Sequence, residues 1–203
     1  MNEKNMVETL AINLEKNGYI VEVLEKGEDV ASVIEKYISK VDKIGNGGSM
    51  TIEGLGVFEK LHADGFDVIS KREGVDYPTT VELSKNATVF LTSTNAVSVA
   101  GEFVNIDGRG NRVSQMAFGA QKIFYVFGEN KITADLTSAI DRVRNIASPL
   151  NARRLSKNTP CVVDLKCHNC NSPDRICKAM LISDRPTSAQ IAHVIIIRDS
   201  LGY

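Results

Sequence analysis

The sequence predicts an α/β fold, an open and mainly parallel sheet flanked by helices. Three observations carry that expectation. Short apolar runs without alternation, the densest at residues 123–127, read as strands covered on both faces. Between such runs lie segments with apolar residues at helical spacing, clearest at Leu136, Ile140, Val143 and Ala147. A glycine-rich turn, Gly45-Asn46-Gly47-Gly48-Ser49, stands between one strand-like run and one helical pattern, giving the strand–loop–helix order of such folds.

Taken along the chain, Met6, Leu10 and Ile12 or Leu14 predict an amphipathic opening helix that Gly18 ends before a strand at 19–24. A second helix fits residues 29–39. A strand at 41–44 leads into the glycine turn, after which Leu55, Phe58 and Leu61 mark one face of a helix. Short buried strands follow at 66–70 and 88–91, and the central strand at 123–127 precedes the helix at 136–147, which Pro149 is expected to end. A last strand, 193–197, comes after a cysteine-bearing excursion at about 159–185. With no internal repeat and no long linker, residues 1–203 read as a single domain.

Composition narrows the function classes. Apolar residues make up 43% and charged residues 24%, as in ordinary globular proteins, which argues against disorder or a fibrous repeat. Twenty-four Lys and Arg against 25 Asp and Glu leave no global field to draw in nucleic acid or an anionic membrane, so any anion site must be local. The first 15 residues hold no apolar run of signal-peptide length, and no stretch approaches the roughly 20 apolar residues of a membrane span. A cytoplasmic protein is expected, with no nucleic-acid or membrane partner.

Three regions could carry chemistry. The first is the segment Gly45, Asn46, Gly47, Gly48, Ser49, Met50, Thr51, whose glycines allow a tight turn that exposes backbone N–H groups to a phosphate or carboxylate. It ends in neither the Gly-Lys-Ser/Thr of a P-loop nor the third glycine of a dinucleotide fingerprint. The plainer reading is a strand-to-helix turn capped by Ser49. The second region runs from Ser93, Thr94 and Asn95 through Glu102 to Asp107 and Arg112, just past a buried strand, where parallel sheets gather ligand contacts. Glu102 and Asp107 are candidate proton-transfer bases or nucleophiles, and Arg112 could grip a carboxylate with two hydrogen bonds. Asn-x-Asp-Gly and Gly-Asn are also ordinary hairpin turns.

The third region holds all four cysteines, Cys161, Cys167, Cys170 and Cys177, with His168 inside the Cys-x2-Cys pair. Crowding of this kind in a reducing compartment suggests tetrahedral zinc, an iron–sulfur cluster or a redox element, although the spacing matches neither a zinc ribbon nor a ferredoxin run. Reduced structural thiols remain the alternative. His62 and His193 have no identifiable catalytic partner in sequence and read as surface or packed histidines. The basic stretch Arg142, Arg144, Arg153, Arg154 and Lys157 reads as a solvated face near a helix end.

Several segments together resemble the lactate-utilization (LUD) domain family. They are Gly45 to Thr51 with Leu55-Gly56; Thr94-Asn95-Ala96-Val97 with the run from Gly101 to Arg112; Asn130-Lys131-Ile132; and Ala147-Ser148-Pro149-Leu150-Asn151-Ala152. Thr159-Pro160-Cys161 and the run from Cys167 to Cys177 resemble the short, stand-alone branch of that family. The resemblance implies a fold similar to sugar-phosphate isomerases, glucosamine-phosphate deaminases and CoA transferases. It makes Ser49 and its neighbouring amides candidate anion contacts, with Asn95, Glu102 and Asp107 across a cleft. It also implies a part in oxidation of L-lactate to pyruvate beside iron–sulfur or flavin redox partners. Two other readings stay open: an isomerase or acyl/CoA transferase of the similar fold, and a non-catalytic subunit of a redox complex. Sequence leaves a homo-oligomer open as well. All of these readings require the glycine turn and the acidic segment to meet at one rim of the sheet.

Overall fold

The computed structural model describes residues 3–203; Met1 and Asn2, part of the opening stretch read above, lie outside the described residues. In chain order the elements are α1 (Glu3–Lys16), β1 (Ile20–Glu25), α2 (Val30–Glu35), β2 (Lys43–Asn46), α3 (Met50–Gly54), α4 (Val57–Ala63) and β3 (Asp67–Val68). There follow α5 (Tyr77–Leu83), β4 (Val89–Thr92), β5 (Ala96–Ser98), β6 (Phe103–Asp107), α6 (Asn111–Phe118), β7 (Lys122–Gly128) and β8 (Ile132–Thr133). The chain ends with α7 (Leu136–Arg142), α8 (Ser148–Arg154), α9 (Cys161–Asp164), β9 (Ala179–Ser183) and β10 (Ile191–Arg198).

A six-stranded sheet in the order β1-β10-β7-β4-β2-β3 forms the centre, and every neighbouring pair in it is parallel. This is the α/β architecture that the apolar runs predict. Its inner strands alternate between two separate cores. Phe124, Val126, Ile195 and Leu91 face the side covered by α2, α3 and α4, whereas Ile123, Tyr125, Phe127, Val194 and Phe90 face α1, α6 and a second sheet. That four-stranded sheet has the order β8-β5-β6-β9, in which β6 runs antiparallel to both neighbours. No helix among the described residues is long and apolar enough to cross a membrane.

Three expectations are corrected. The helix after the glycine turn is broken in two, because Gly56 sits at φ +64°, a left-handed conformation that stops α3 and restarts the chain as α4. Pro149 does not end its helix: residues Val143–Ala147 widen into a π turn, and Pro149 occupies the first turn of α8 beyond it. A wider turn lets the chain pass the proline ring that would strike the carbonyl four residues back in a regular helix. The polar run at 107–112 is not a hairpin. β6 passes through Gly108, Arg109 and Gly110 directly into α6.

The connections also fix where a ligand can sit. From β2 the chain crosses to β3 on one side, and from the neighbouring β4 it departs toward β7 on the other. Loops that leave adjacent parallel strands in opposite directions open a crevice at their carboxyl ends. That crevice lies between residues 47–51 and 93–95.

Candidate functional site

The crevice widens into a cavity of about 630 Å³. Its wall takes Gly47, Gly48, Ser49 and Thr51 from the loop after β2, Ser93, Thr94 and Asn95 from the loop after β4, and Asp107 and Arg112 from the β6–α6 turn. The glycine turn and the acidic segment therefore share one rim. They touch directly at Gly47, where a Cβ atom would fall 2.9 Å from Arg112 Cγ. Only a residue without a side chain lets the backbone approach this closely.

Arg112 is buried and organises this rim. Its Nε donates to Asp107 Oδ1 at 3.1 Å, Nη1 to Ser93 O and Asn105 Oδ1, and Nη2 to Asn95 Oδ1 and Ile106 O. All five guanidinium hydrogens thus have acceptors within the protein. Asn95 and Asn105 answer each other across β5 and β6, with Asn95 N donating to Asn105 Oδ1 and Ile106 N donating to Asn95 Oδ1. Asp107 Oδ2 in turn accepts from Arg112 N and Val113 N, the first-turn amides of α6. One ion pair therefore ties strand end, helix start and the β4 loop into a fixed wall. The two-pronged ligand grip expected of Arg112 is corrected: this fork is already closed on protein acceptors.

Other expected site residues separate. Gly45 packs so tightly on Ala87 and Ser84 that a Cβ would come within 2.8 Å, and it lies below the cavity. Asn46 is buried beside it, its Oδ1 accepting from Gly48 N at 3.1 Å and so shaping the turn. Ser49 Oγ accepts from Ile52 N and caps α3 while lining the cavity. Glu102 is not in the cavity wall. It sits in the β5–β6 turn, at the other end of the hairpin from Asn95 and Asp107, where it accepts a hydrogen bond from Ser98 Oγ at 2.6 Å. Strand direction is the reason: four residues of β6 lie between Glu102 and Asp107, five steps of extended chain or roughly 16 Å.

The side chain that residue-type reasoning missed is Lys131. It follows β7 in a 3₁₀ turn and reaches into the cavity, 4% exposed, with Nζ 3.0 Å from Thr51 Oγ1 and 3.1 Å from Ser93 Oγ. Among the described residues no carboxylate pairs with it. Burial, aided by Arg142 and Arg112, lowers its pKa to about 7. Arg142 is itself buried, donating to the carbonyls of Asn130 and Asn95. This corrects the reading of 142–157 as a solvated face: Arg142 faces inward, and Arg154 and Lys157 join the cavity wall. The segment Asn130-Lys131-Ile132 belongs to the family-like motifs, and that was the available signal. Around the cavity seven Lys and Arg stand against three Asp and Glu, so the local field favours anions although the chain as a whole carries a net charge of −1. Across the mouth, Gly202 lies close enough that a Cβ would come 2.7 Å from Thr51 Oγ1 and 3.4 Å from Lys131 Nζ.

A family model described as the LUD domain matches residues 7–197. The chain belongs to the LUD domain family. That membership supports a role related to lactate utilization in general. The fold is similar to the crystal structure of a DUF162 family protein from Deinococcus radiodurans, with a TM-score of 0.52 at 9% identity, covering 97% of this chain and 99% of that one. No curated protein matches this LUD chain.

The zinc or iron–sulfur centre that the cysteine spacing suggested is not shown in this LUD chain. Among the described residues, no group of three or more His, Cys, Asp and Glu side chains is arranged to hold a metal. Each thiol is free and partly buried. Cys161 Sγ meets Thr159 Oγ1 at 3.3 Å, Cys177 Sγ accepts from Arg175 Nε at 3.2 Å, and His168 pairs with Asp164. The segment instead wraps one side of the cavity, presenting Pro173, Asp174, Arg175 and Ile176, before β9 joins the second sheet beside β6.

Proposed function

We propose that the chain binds a small carboxylate or phosphate in the cleft between residues 47–51 and Lys131 and serves L-lactate or organic-acid utilization, in the oxidation of lactate to pyruvate. The observation that carries this reading is Lys131, a buried amine without a carboxylate partner among the described residues, in a cavity whose charged lining residues are mostly cationic. A buried lysine that lacks a counter-ion is costly, and an entering anion supplies the missing charge. The amine and the hydroxyls of Thr51 and Ser93 would hold the anion; the Arg112–Asp107 wall would orient it. Electrons released in lactate oxidation would pass to an iron–sulfur or flavin partner protein.

Titration calorimetry with L-lactate, pyruvate and inorganic phosphate tests the binding step. At least one should bind, and Lys131→Met should weaken it by about tenfold or more, equivalent to about 1.4 kcal/mol. If none binds, or if the variant binds equally well, the anion reading is wrong. A transferase or isomerase using Glu102 gains no support, because that carboxylate lies outside the cavity.

A further inference from the structure

We propose that the Lys131 amine acts as a nucleophile and condenses with the carbonyl group of a small anionic ketone or aldehyde, forming an imine inside the cleft. This rests on the cleft being an anion site and adds the electrophile that the amine would take. Lys131 Nζ lines the cavity, and its polar contacts are the hydroxyls of Thr51 and Ser93 rather than a carboxylate. A salt-bridged lysine is held as a cation, whereas an amine between two hydroxyls with guanidinium groups nearby keeps its lone pair. Its lowered pKa, about 7, leaves a large uncharged fraction at neutral pH. A nucleophilic amine and a cationic wall together select one chemistry: a carbonyl carried by a molecule that also bears negative charge. That description includes 2-oxo acids and phosphorylated ketoses.

The step balances without an oxidant. The Nζ lone pair adds to the carbonyl carbon, and the carbonyl π pair moves to oxygen, which takes a proton relayed through the Thr51 or Ser93 hydroxyl. The resulting carbinolamine loses water as the C=N bond forms, so one amine and one carbonyl give one imine and one water. The ligand's own carboxylate or phosphate would balance the positive charge of the protonated imine beside Arg142 and Arg112.

The full chain is incubated with pyruvate, dihydroxyacetone phosphate or L-lactate, each with cyanoborohydride, and analysed by intact-mass and peptide mapping; calorimetry is run in parallel without reductant. We expect one reduced adduct per chain on Lys131 from pyruvate or from dihydroxyacetone phosphate, none from L-lactate, and loss of the adduct in Lys131→Met, whose fold is checked by circular dichroism. Which of the two probes reacts tells a carboxylate from a phosphate ligand. Binding of pyruvate or dihydroxyacetone phosphate without an adduct on Lys131 overturns the imine and leaves the anion site standing. Adducts scattered over surface lysines and retained in Lys131→Met also overturn it. No binding by any probe together with no adduct overturns the anion reading as well.

Discussion

Replacing Lys131 by Met should make the protein more stable while weakening its ligand affinity. Burial lowers the Lys131 pKa from 10.5 to about 7. Each unit is worth about 1.4 kcal/mol, so holding this amine costs on the order of 4 kcal/mol at pH 7. The substitution also deletes two hydrogen bonds, to Thr51 and Ser93, together worth about 2 kcal/mol. The balance is a gain of about 2 kcal/mol for Lys131→Met. The pH dependence gives a second reading. Because the folded state lowers this pKa, the unfolded chain binds the extra proton between pH 7 and 10.5. Wild-type stability should therefore fall as pH drops through that window and level off below about 7. Lys131→Met should lack this slope. Urea denaturation followed by circular dichroism at pH 7 and pH 9.5 measures both quantities. A variant less stable than wild type at pH 7, or one with the same slope, would refute the view that this lysine is kept at a cost for binding.

Three further outcomes are expected. Gly47→Ala should drive its new methyl into Arg112, 2.9 Å from Cγ, lowering stability by about 1–3 kcal/mol and anion affinity with it, as read by thermal melts and calorimetry. Glu102→Gln should leave anion affinity within about twofold of wild type, because the carboxylate lies outside the cavity; a loss of about tenfold would return Glu102 to the site. His193 stacks on Phe124 at 4.5 Å and lies 4.3 Å from Tyr37, and burial lowers its pKa to about 4. The unfolded chain then takes up the proton first, so stability is present above pH 6.5 and is lost as pH falls toward 4, by about 3 kcal/mol at most. In His193→Phe denaturant melts between pH 4 and 7, that loss should shrink.

Much of the scaffold could be read directly. Runs such as 123–127 and 194–197 are apolar on both sides of the pleat, and only a strand covered by two layers rewards that pattern. The π turn before Pro149 escaped because a proline's steric cost is local, whereas the packing of Val143 and Ala147 that carries the helix through is not. The site was legible in part. Gly47 and Ser49 stood out by residue type, and Asp107 and Arg112 by their place after a strand. Lys131 did not, because an isolated lysine in sequence is usually solvated and only burial makes it chemically distinct. The four cysteines show the converse limit: spacing along a chain permits a metal site, but convergence of the thiols in space is what makes one, and no such convergence is seen among the described residues.

By itself, then, the sequence determined the alternation of strands and helices and the glycine turn after an early strand. These depend on residues close together in the chain, whose periodicity and backbone freedom are fixed locally. Tertiary structure alone decided that Arg112 would brace a wall, that Glu102 would lie a strand's length from the cavity, and that Lys131 would lose its water between two hydroxyls. Each of those outcomes depends on the dielectric and the partners that distant segments bring together, quantities that no local pattern encodes.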